Sequence, residues 1–160
     1  MEDIKQKIRN GDIEGVESLV KMDPTLINKP IDWLGRPPLL LACGEGADRR
    51  ILEILIEAGG EVGVKDYKSW TALHWAVFGN HLQAVEILLS RGSEVNERSN
   101  NGETPLHWAL SRGHLHTVEM LLGHNGIDVN VVDNNGDTPL HWAVRGREYQ
   151  VVCLLLNQVS

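Results

Sequence analysis

One six-residue pattern recurs along the chain at a nearly constant spacing, and it constrains the fold more than any other feature. Residues 71–76 read TALHWA, and residues 104–109 and 138–143 both read TPLHWA, so the copies lie 33 and 34 residues apart. A weaker copy, PPLLLA, occupies residues 37–42. A period in this range is typical of stacked structural repeats, each too small to bury its apolar face alone.

The residues of one copy predict its secondary structure. Thr104 can cap a helix, and Pro105 suits the first helical position because its missing N–H is not needed there. Gly113 can adopt the left-handed conformation that ends a helix. A second helix is expected from about Leu115 to Gly123, where apolar residues recur at helical spacing. An Asn-Asn-Gly stretch at residues 134–136 predicts a tight turn, so each unit is helix, turn, helix and hairpin-like loop.

The recurring T-P-L-H-x-A pattern resembles the ankyrin repeat. The resemblance covers about residues 31–157, and it implies an all-α fold, an ankyrin-repeat solenoid of about five helix-turn-helix units with hairpin-like loops. Five segments are therefore expected: a degenerate N-terminal capping repeat at residues 1–30, ankyrin repeats at 31–64, 65–97 and 98–131, and a C-terminal repeat at 132–160 that is a candidate for truncation.

Some positions depart from the family pattern. Pro37 and Leu40 replace the usual Thr and His of the second repeat, so its helix cap and polar link cannot be carried over. Arg147 stands where the family usually has Gly. In the first segment, Ile4 and Ile8 are expected to face the core, while the rest of that helix is polar, as an end cap must be.

Charge and composition exclude several classes of function. With 15 Lys and Arg against 22 Asp and Glu, the net charge is −7, and no basic run is present, so nucleic acid is not an expected partner. No stretch approaches the roughly 20 apolar residues of a membrane helix, so no membrane insertion is expected. Two distant cysteines, Cys43 and Cys153, suit a reducing compartment. The expected location is the cytoplasm, with the nucleus as the alternative.

The histidine of the repeated pattern has two readings. His74, His107 and His141 could form a ladder of metal ligands. Alternatively, each could hydrogen-bond the loop of a neighbouring repeat, as the histidine of ankyrin repeats is understood to do. Packed helices lie roughly 10 Å apart, too far for three such histidines to share one zinc ion with bonds of about 2 Å. This distance favours the structural reading.

The next position holds tryptophan in the same three copies: Trp75, Trp108 and Trp142. These side chains could form a ligand-binding stripe or fill the core between repeats. Recurrence at one repeat position favours packing, with partial exposure on the groove side, because tryptophan is rarely buried completely.

No catalytic motif is recognisable in the chain. It contains no G-x-S-x-G, no phosphate-binding P-loop and no H-E-x-x-H. We therefore expect no enzymatic activity, no cofactor and no metal. The expected function is that of a protein–protein interaction module, as an adaptor, scaffold or inhibitor. The alternative is a substrate-targeting domain of a larger enzyme or multidomain protein whose catalytic part lies outside this chain.

The resemblance also implies where a partner would bind, because ankyrin proteins hold partners with their loop tips and the exposed face of their first helices. The only Phe, one of two Tyr and the two Trp outside the repeated position all fall on this surface in the second and third repeats. Binding hot spots are enriched in Trp, Tyr and Arg. The expected anchors for a protein or peptide are Trp33, Tyr67, Trp70 and Phe78, with electrostatic steering by Arg36, Lys68, Arg112 and Arg145. The alternative is that some of these aromatic side chains pack against neighbouring loops.

The last helix is apolar nearly all round, from Tyr149 to Leu156, although a repeat stack needs a polar end face. Either the natural sequence continues, or this end pairs with a second molecule, so a monomer is expected with a dimer through the last repeat as the alternative. Asn96 and Asn130 resemble the loop asparagines that asparaginyl hydroxylases modify in ankyrin proteins, and their modification is left open.

Overall fold

The computed structural model describes residues 3–159, with side chains up to residue 158. This part of the chain forms ten α-helices in five successive pairs and contains no β-strand. The helices are Ile4–Asn10 (α1), Ile13–Met22 (α2), Pro38–Glu45 (α3), Arg49–Glu57 (α4), Ala72–Phe78 (α5), Leu82–Ser90 (α6), Pro105–Ser111 (α7), Leu115–Leu122 (α8), Pro139–Arg145 (α9) and Tyr149–Val159 (α10). A 3-10 turn, Pro24–Leu26, follows α2.

The helices stack in two layers. Each first helix of a pair (α1, α3, α5, α7 and α9) contacts the first helix of the next pair, and the second helices (α2, α4, α6, α8 and α10) contact one another in the same order. Because these contacts join successive pairs, the predicted all-α solenoid is confirmed. None of the helices within residues 3–159 is long and apolar enough to cross a membrane.

Three of the first helices begin with the same reciprocal cap. The hydroxyl of Thr104 accepts a hydrogen bond from the backbone N–H of His107, and His107 Nδ1 accepts one from the backbone N–H of Thr104 at 3.0 Å. The same cap occurs at residues 71–74 and 138–141. Helix α3 follows Pro37 and has no side-chain cap, which is the expected result of replacing the threonine.

A continuous apolar core runs between the two layers. Leu39, Leu73 and Leu106 occupy matching positions in α3, α5 and α7, and all three are fully buried. Ile4 and Ile8 are buried at the other end of the core, as expected for the first repeat. Burial of each such side chain contributes about 1.5–3 kcal/mol, so successive pairs stabilise one another.

The last helix pair leaves apolar side chains uncovered. Val144 in α9 is exposed, although Val77 and Leu110 at the matching positions of α5 and α7 are fully buried against the next pair. Tyr149 and Leu156 in α10 are also exposed. The apolar end face expected from the sequence is therefore present.

Candidate functional site

Four loops project from the stack, one before each of α3, α5, α7 and α9, and we call them the tips. They comprise residues 32–36, 66–70, 99–103 and 133–137. In three of them, the carboxylate of the first residue accepts hydrogen bonds from the backbone N–H groups of the third and fifth residues: Asp32, Asp66 and Asp133. Such a side chain fixes the turn without help from a partner.

Neighbouring tips are joined in a row by backbone hydrogen bonds. The N–H of Tyr67 donates to the carbonyl of Leu34 at 3.0 Å, and the N–H of Asn100 donates to the carbonyl of Lys68 at 3.0 Å. A third bond of 2.9 Å joins residue 134 to residue 101. The tips therefore form one continuous edge rather than four separate loops.

The second residue of a tip and the fifth residue differ in exposure. Trp33 and Tyr67, at second positions, are 80% and 69% exposed, as expected for partner-binding side chains. Trp70 and Arg36, at fifth positions, are only 8% and 7% exposed, so the expectation that they are exposed is wrong. The fifth side chain packs against the first helices, whereas the second one projects into solvent.

Trp70 is buried because it lies within a group of four rings that we call the aromatic cluster: Trp70, Trp75, Phe78 and Trp108. The ring centre of Trp70 lies 4.9 Å from that of Trp75, 5.5 Å from Phe78 and 5.3 Å from Trp108. Phe78 also meets Trp108 edge to face at 5.3 Å. The cluster joins α5, α7 and the tip that precedes α5, so the packing alternative holds for Trp70.

A hollow of about 520 Å³ lies over the aromatic cluster and is open to solvent. Its remaining walls come from two adjacent tips and comprise Lys68, Asn100, Asn101 and Glu103. Three of the expected site residues, Lys68, Trp70 and Phe78, therefore line one concavity. Trp75 and Trp108 line it too, although the sequence favoured a packing role for both.

The indole N–H of Trp108 is buried and has no hydrogen-bond acceptor within the described residues. The other two copies donate to the first aspartate of the preceding tip, Trp75 to Asp66 at 2.8 Å and Trp142 to Asp133 at 2.9 Å. At the matching position the chain has Ser99, whose hydroxyl instead donates to Glu103 Oε2 at 3.0 Å. This one substitution leaves a donor unsatisfied beside the hollow.

The basic residues expected to steer a partner are mostly engaged within the protein. Arg36 forms an ion pair with Asp32, with 2.7 Å between Nε and Oδ2, and it also lies 4.6 Å over the ring of Trp75. Arg112 lies 4.4 Å over the ring of Phe78. In the same way, Arg145 pairs with residue 137 at 2.7 Å. Lys68 is exposed and has no ion pair within the described residues, so it is the freest cation of this set.

Two of the three repeated histidines link successive helix pairs. His74 Nε2 lies 3.0 Å from the carbonyl oxygen of Glu103, and His107 Nε2 lies 3.3 Å from that of Asp137. Burial lowers the pKa of His74 to about 4 and lowers the pKa of His107 as well. The expected link to a neighbouring loop is confirmed for His74 and His107, whereas the hydrogen bonds of His141 are to Thr138 of its own helix cap. Within residues 3–159, no three His, Cys, Asp or Glu side chains are placed to hold a metal ion.

The loop asparagine Asn96 also has a structural role. Its side-chain N–H donates to the carbonyl of Gly126 at 2.7 Å, and its Oδ1 accepts from the backbone N–H of Asp128 at 2.9 Å. Asn28 makes the equivalent pair of bonds two repeat intervals earlier in the stack. These amides join the loops that follow the second helices.

The amino-acid sequence also matches a protein-family model over two overlapping ranges. A model described as ankyrin repeats in three copies matches residues 4–99 and, in a second match, residues 91–160. No curated protein matches the chain. Ankyrin repeats are in general protein–protein interaction modules, and their fold is typically non-catalytic. Since the two matches extend over nearly the whole chain, the protein belongs to the ankyrin-repeat family.

Proposed function

We propose that this chain is an adaptor, scaffold or inhibitor that binds a segment of a partner protein along its tips and first helices. The proposal rests on the hollow over the aromatic cluster, which lies between the third and fourth helix pairs. Binding sites combine an apolar floor with a few polar groups that fix orientation. Here the floor is aromatic, and amide and charged side chains of two tips form the rim.

Two exposed rings extend this surface beyond the hollow. Tyr67 precedes Lys68 in the same tip, and Trp33 is the matching residue of the preceding tip. The ring of Tyr67 lies directly over Gly35, where a Cβ atom would come within 2.5 Å of it. Because Gly35 has no Cβ atom, the ring of Tyr67 can rest against the backbone of the preceding tip. This contact orients Tyr67 in the absence of a partner. Preorganised aromatic side chains are efficient anchors because little side-chain entropy is lost on binding.

A matched pair of tyrosine variants tests the proposal. Tyr67→Ala removes an exposed ring from the tip that also supplies Lys68 to the hollow, and Tyr149→Ala removes a similarly exposed ring (76% against 69%) from the distant helix α10. Proteins captured from a cell extract by the unmodified chain are expected to be lost with Tyr67→Ala and retained with Tyr149→Ala. Retention by both variants would place binding away from this groove.

Trp70→Ala is a poorer choice for this comparison. The side chain is almost completely buried, so its removal is expected to disturb folding as well as binding. Melting curves by circular dichroism on both tyrosine variants provide the folding control, and substitutions at exposed positions are expected to leave them nearly unchanged.

A further inference from the structure

The walls of the hollow are suited to one chemical class of ligand. Four aromatic rings form its floor, and their centres lie between 4.9 and 6.4 Å apart where they meet. The face of an aromatic ring carries partial negative charge and attracts cations, most strongly when the cation is desolvated. A concavity that presents several such rings therefore favours a cationic group over a neutral or anionic one.

The rings of the cluster already attract cations within this protein. The guanidinium carbon of Arg112 lies 4.4 Å from the ring centre of Phe78, and that of Arg36 lies 4.6 Å from the ring centre of Trp75. Both contacts fall well within the distance of about 6 Å at which such interactions are significant. Two further rings, Trp70 and Trp108, line the hollow without such a contact in the described residues.

A carboxylate completes the site. Glu103 lines the hollow and is only 9% exposed, and its Oε2 accepts the hydroxyl of Ser99. Its other oxygen, Oε1, has no hydrogen-bond donor among the described residues, and no basic side chain there pairs with this carboxylate. Because no counter-ion neutralises this partly desolvated carboxylate, a cationic ligand in the hollow would be attracted by its charge.

The type of cation follows from the number of acceptors. An unmodified lysine ammonium is strongly hydrated and has three N–H donors, whereas the side chains of the walls offer two acceptors without a donor, one carboxylate oxygen of Glu103 and the amide oxygen of Asn101, and otherwise ring faces. Methyl groups replace N–H donors with apolar surface that can contact rings. We propose that the hollow binds the methylated ammonium group of a lysine in the partner protein, an inference that rests on the peptide-binding function proposed above.

Polar groups on the rim indicate a peptide rather than a free amine. The side-chain amide of Asn101 is exposed and has no hydrogen-bond partner in the described part of the chain. It is suitable for hydrogen bonds with the main chain of an extended segment. Lys68 on the rim opposes any cation, so Lys68→Met is expected to strengthen binding.

The test uses the full chain and a peptide library with random residues around one fixed lysine, prepared in unmodified, mono-, di- and trimethylated forms. Fluorescence anisotropy is expected to show at least about tenfold tighter binding of a methylated pool than of the unmodified pool. Glu103→Gln, which keeps an oxygen for Ser99, is expected to remove most of that preference. Glu61→Gln, which removes the charge of an exposed glutamate in the loop after α4, is the matched control and is expected to preserve it.

Three outcomes would overturn the inference. Equal binding of all four pools would refute methyl-lysine recognition while leaving peptide binding intact. A methyl preference unchanged in Glu103→Gln and in Phe78→Ala, each shown to be folded by circular dichroism, would place recognition outside the hollow. Tighter binding of free tetramethylammonium than of any pool would show a small-molecule site instead. Loss of partner capture with Tyr67→Ala is measured separately, so failure of this inference is distinguishable from failure of the proposed function.

Discussion

His74 Nε2 lies 3.0 Å from the carbonyl oxygen of Glu103, so a side chain of α5 is bonded to the backbone of the following tip. His74 Nδ1 is occupied by Thr71, where it accepts the backbone N–H at 3.2 Å. A neutral imidazole satisfies both contacts, because Nδ1 then accepts while Nε2–H donates. Protonation would place a proton on Nδ1 and break the helix cap.

Stability is therefore expected to fall in acid. Burial lowers the pKa of His74 from 6.5 to about 4, so the unfolded chain takes up a proton at a higher pH than the folded chain. The free energy of unfolding is constant for this group above about pH 7 and decreases as pH falls from 6.5 towards 4. From pH 7.5 to 5 the loss is at most about 2 kcal/mol, and the lowered pKa of His107 adds to it. Urea unfolding at the two pH values measures this loss. An equal free energy of unfolding at both would contradict the assigned role of His74.

Arg147→Gly is expected to stabilise the fold. Arg147 has φ +59°, which is close to the +69° and +66° of Gly46 and Gly113 at the matching positions. This left-handed conformation costs residues other than glycine roughly 1–2 kcal/mol. Allowing for the greater freedom of glycine in the unfolded chain, the gain is about 1 kcal/mol. Thermal unfolding measures this change. Arg147→Ala keeps the Cβ atom and is expected to give no gain, so equal effects of the two substitutions would rule out backbone strain.

The two cysteines are expected to react very differently. Cys43 is fully buried in α3, and burial raises the pKa of its thiol to about 12, whereas Cys153 in α10 is exposed. The thiolate is the reactive form, so Cys43 lacks both access and ionisation at neutral pH. Iodoacetamide treatment followed by mass spectrometry should show modification at Cys153 alone. The positive control is labelling in about 6 M guanidinium, which unfolds even hyperstable proteins and should allow both cysteines to react. Rapid labelling of Cys43 without denaturant would mean that the stack opens locally.

Two tryptophans of neighbouring tips are expected to differ in their effect on stability. Trp70→Ala removes a buried ring from the aromatic cluster and should cost about 3–5 kcal/mol. Trp33→Ala removes a ring that is 80% exposed and should change the free energy of unfolding by less than about 0.5 kcal/mol. Urea denaturation of both variants makes the comparison. A small effect at Trp70 would indicate that the cluster is not packed in solution.

The sequence predicted the helices well because their signals are local. Thr104, Pro105 and Gly113 mark the ends of α7 through capping and backbone conformation alone, and the structure confirms them. The link from His107 to the next loop was also expected, but only from the family resemblance. Its second role, as the reciprocal cap of Thr104, did not follow from the pattern.

The site was less predictable because it is formed by residues that are distant in sequence. Trp70 is buried by contact with Trp108, 38 residues later, and no local pattern reveals that contact. Two features of the sequence do indicate contacts that the structure shows at the tips. Ser99 interrupts a series of aspartates at the first position of the tips, which leaves Trp108 without an acceptor. Arg36 follows Asp32 by four residues within a single tip, which is compatible with the observed ion pair.

The central claim, that a partner occupies the hollow, is tested most directly by the indole N–H signals of the five tryptophans in a two-dimensional NMR spectrum. Trp108 Nε1–H is buried beside the hollow and lacks an acceptor, so its resonance should report occupation sensitively. On addition of the captured partner to saturation, we expect the Trp108 signal to shift, together with those of Trp70 and Trp75. If all five indole signals stay in place while the partner is bound, the hollow is not the binding site.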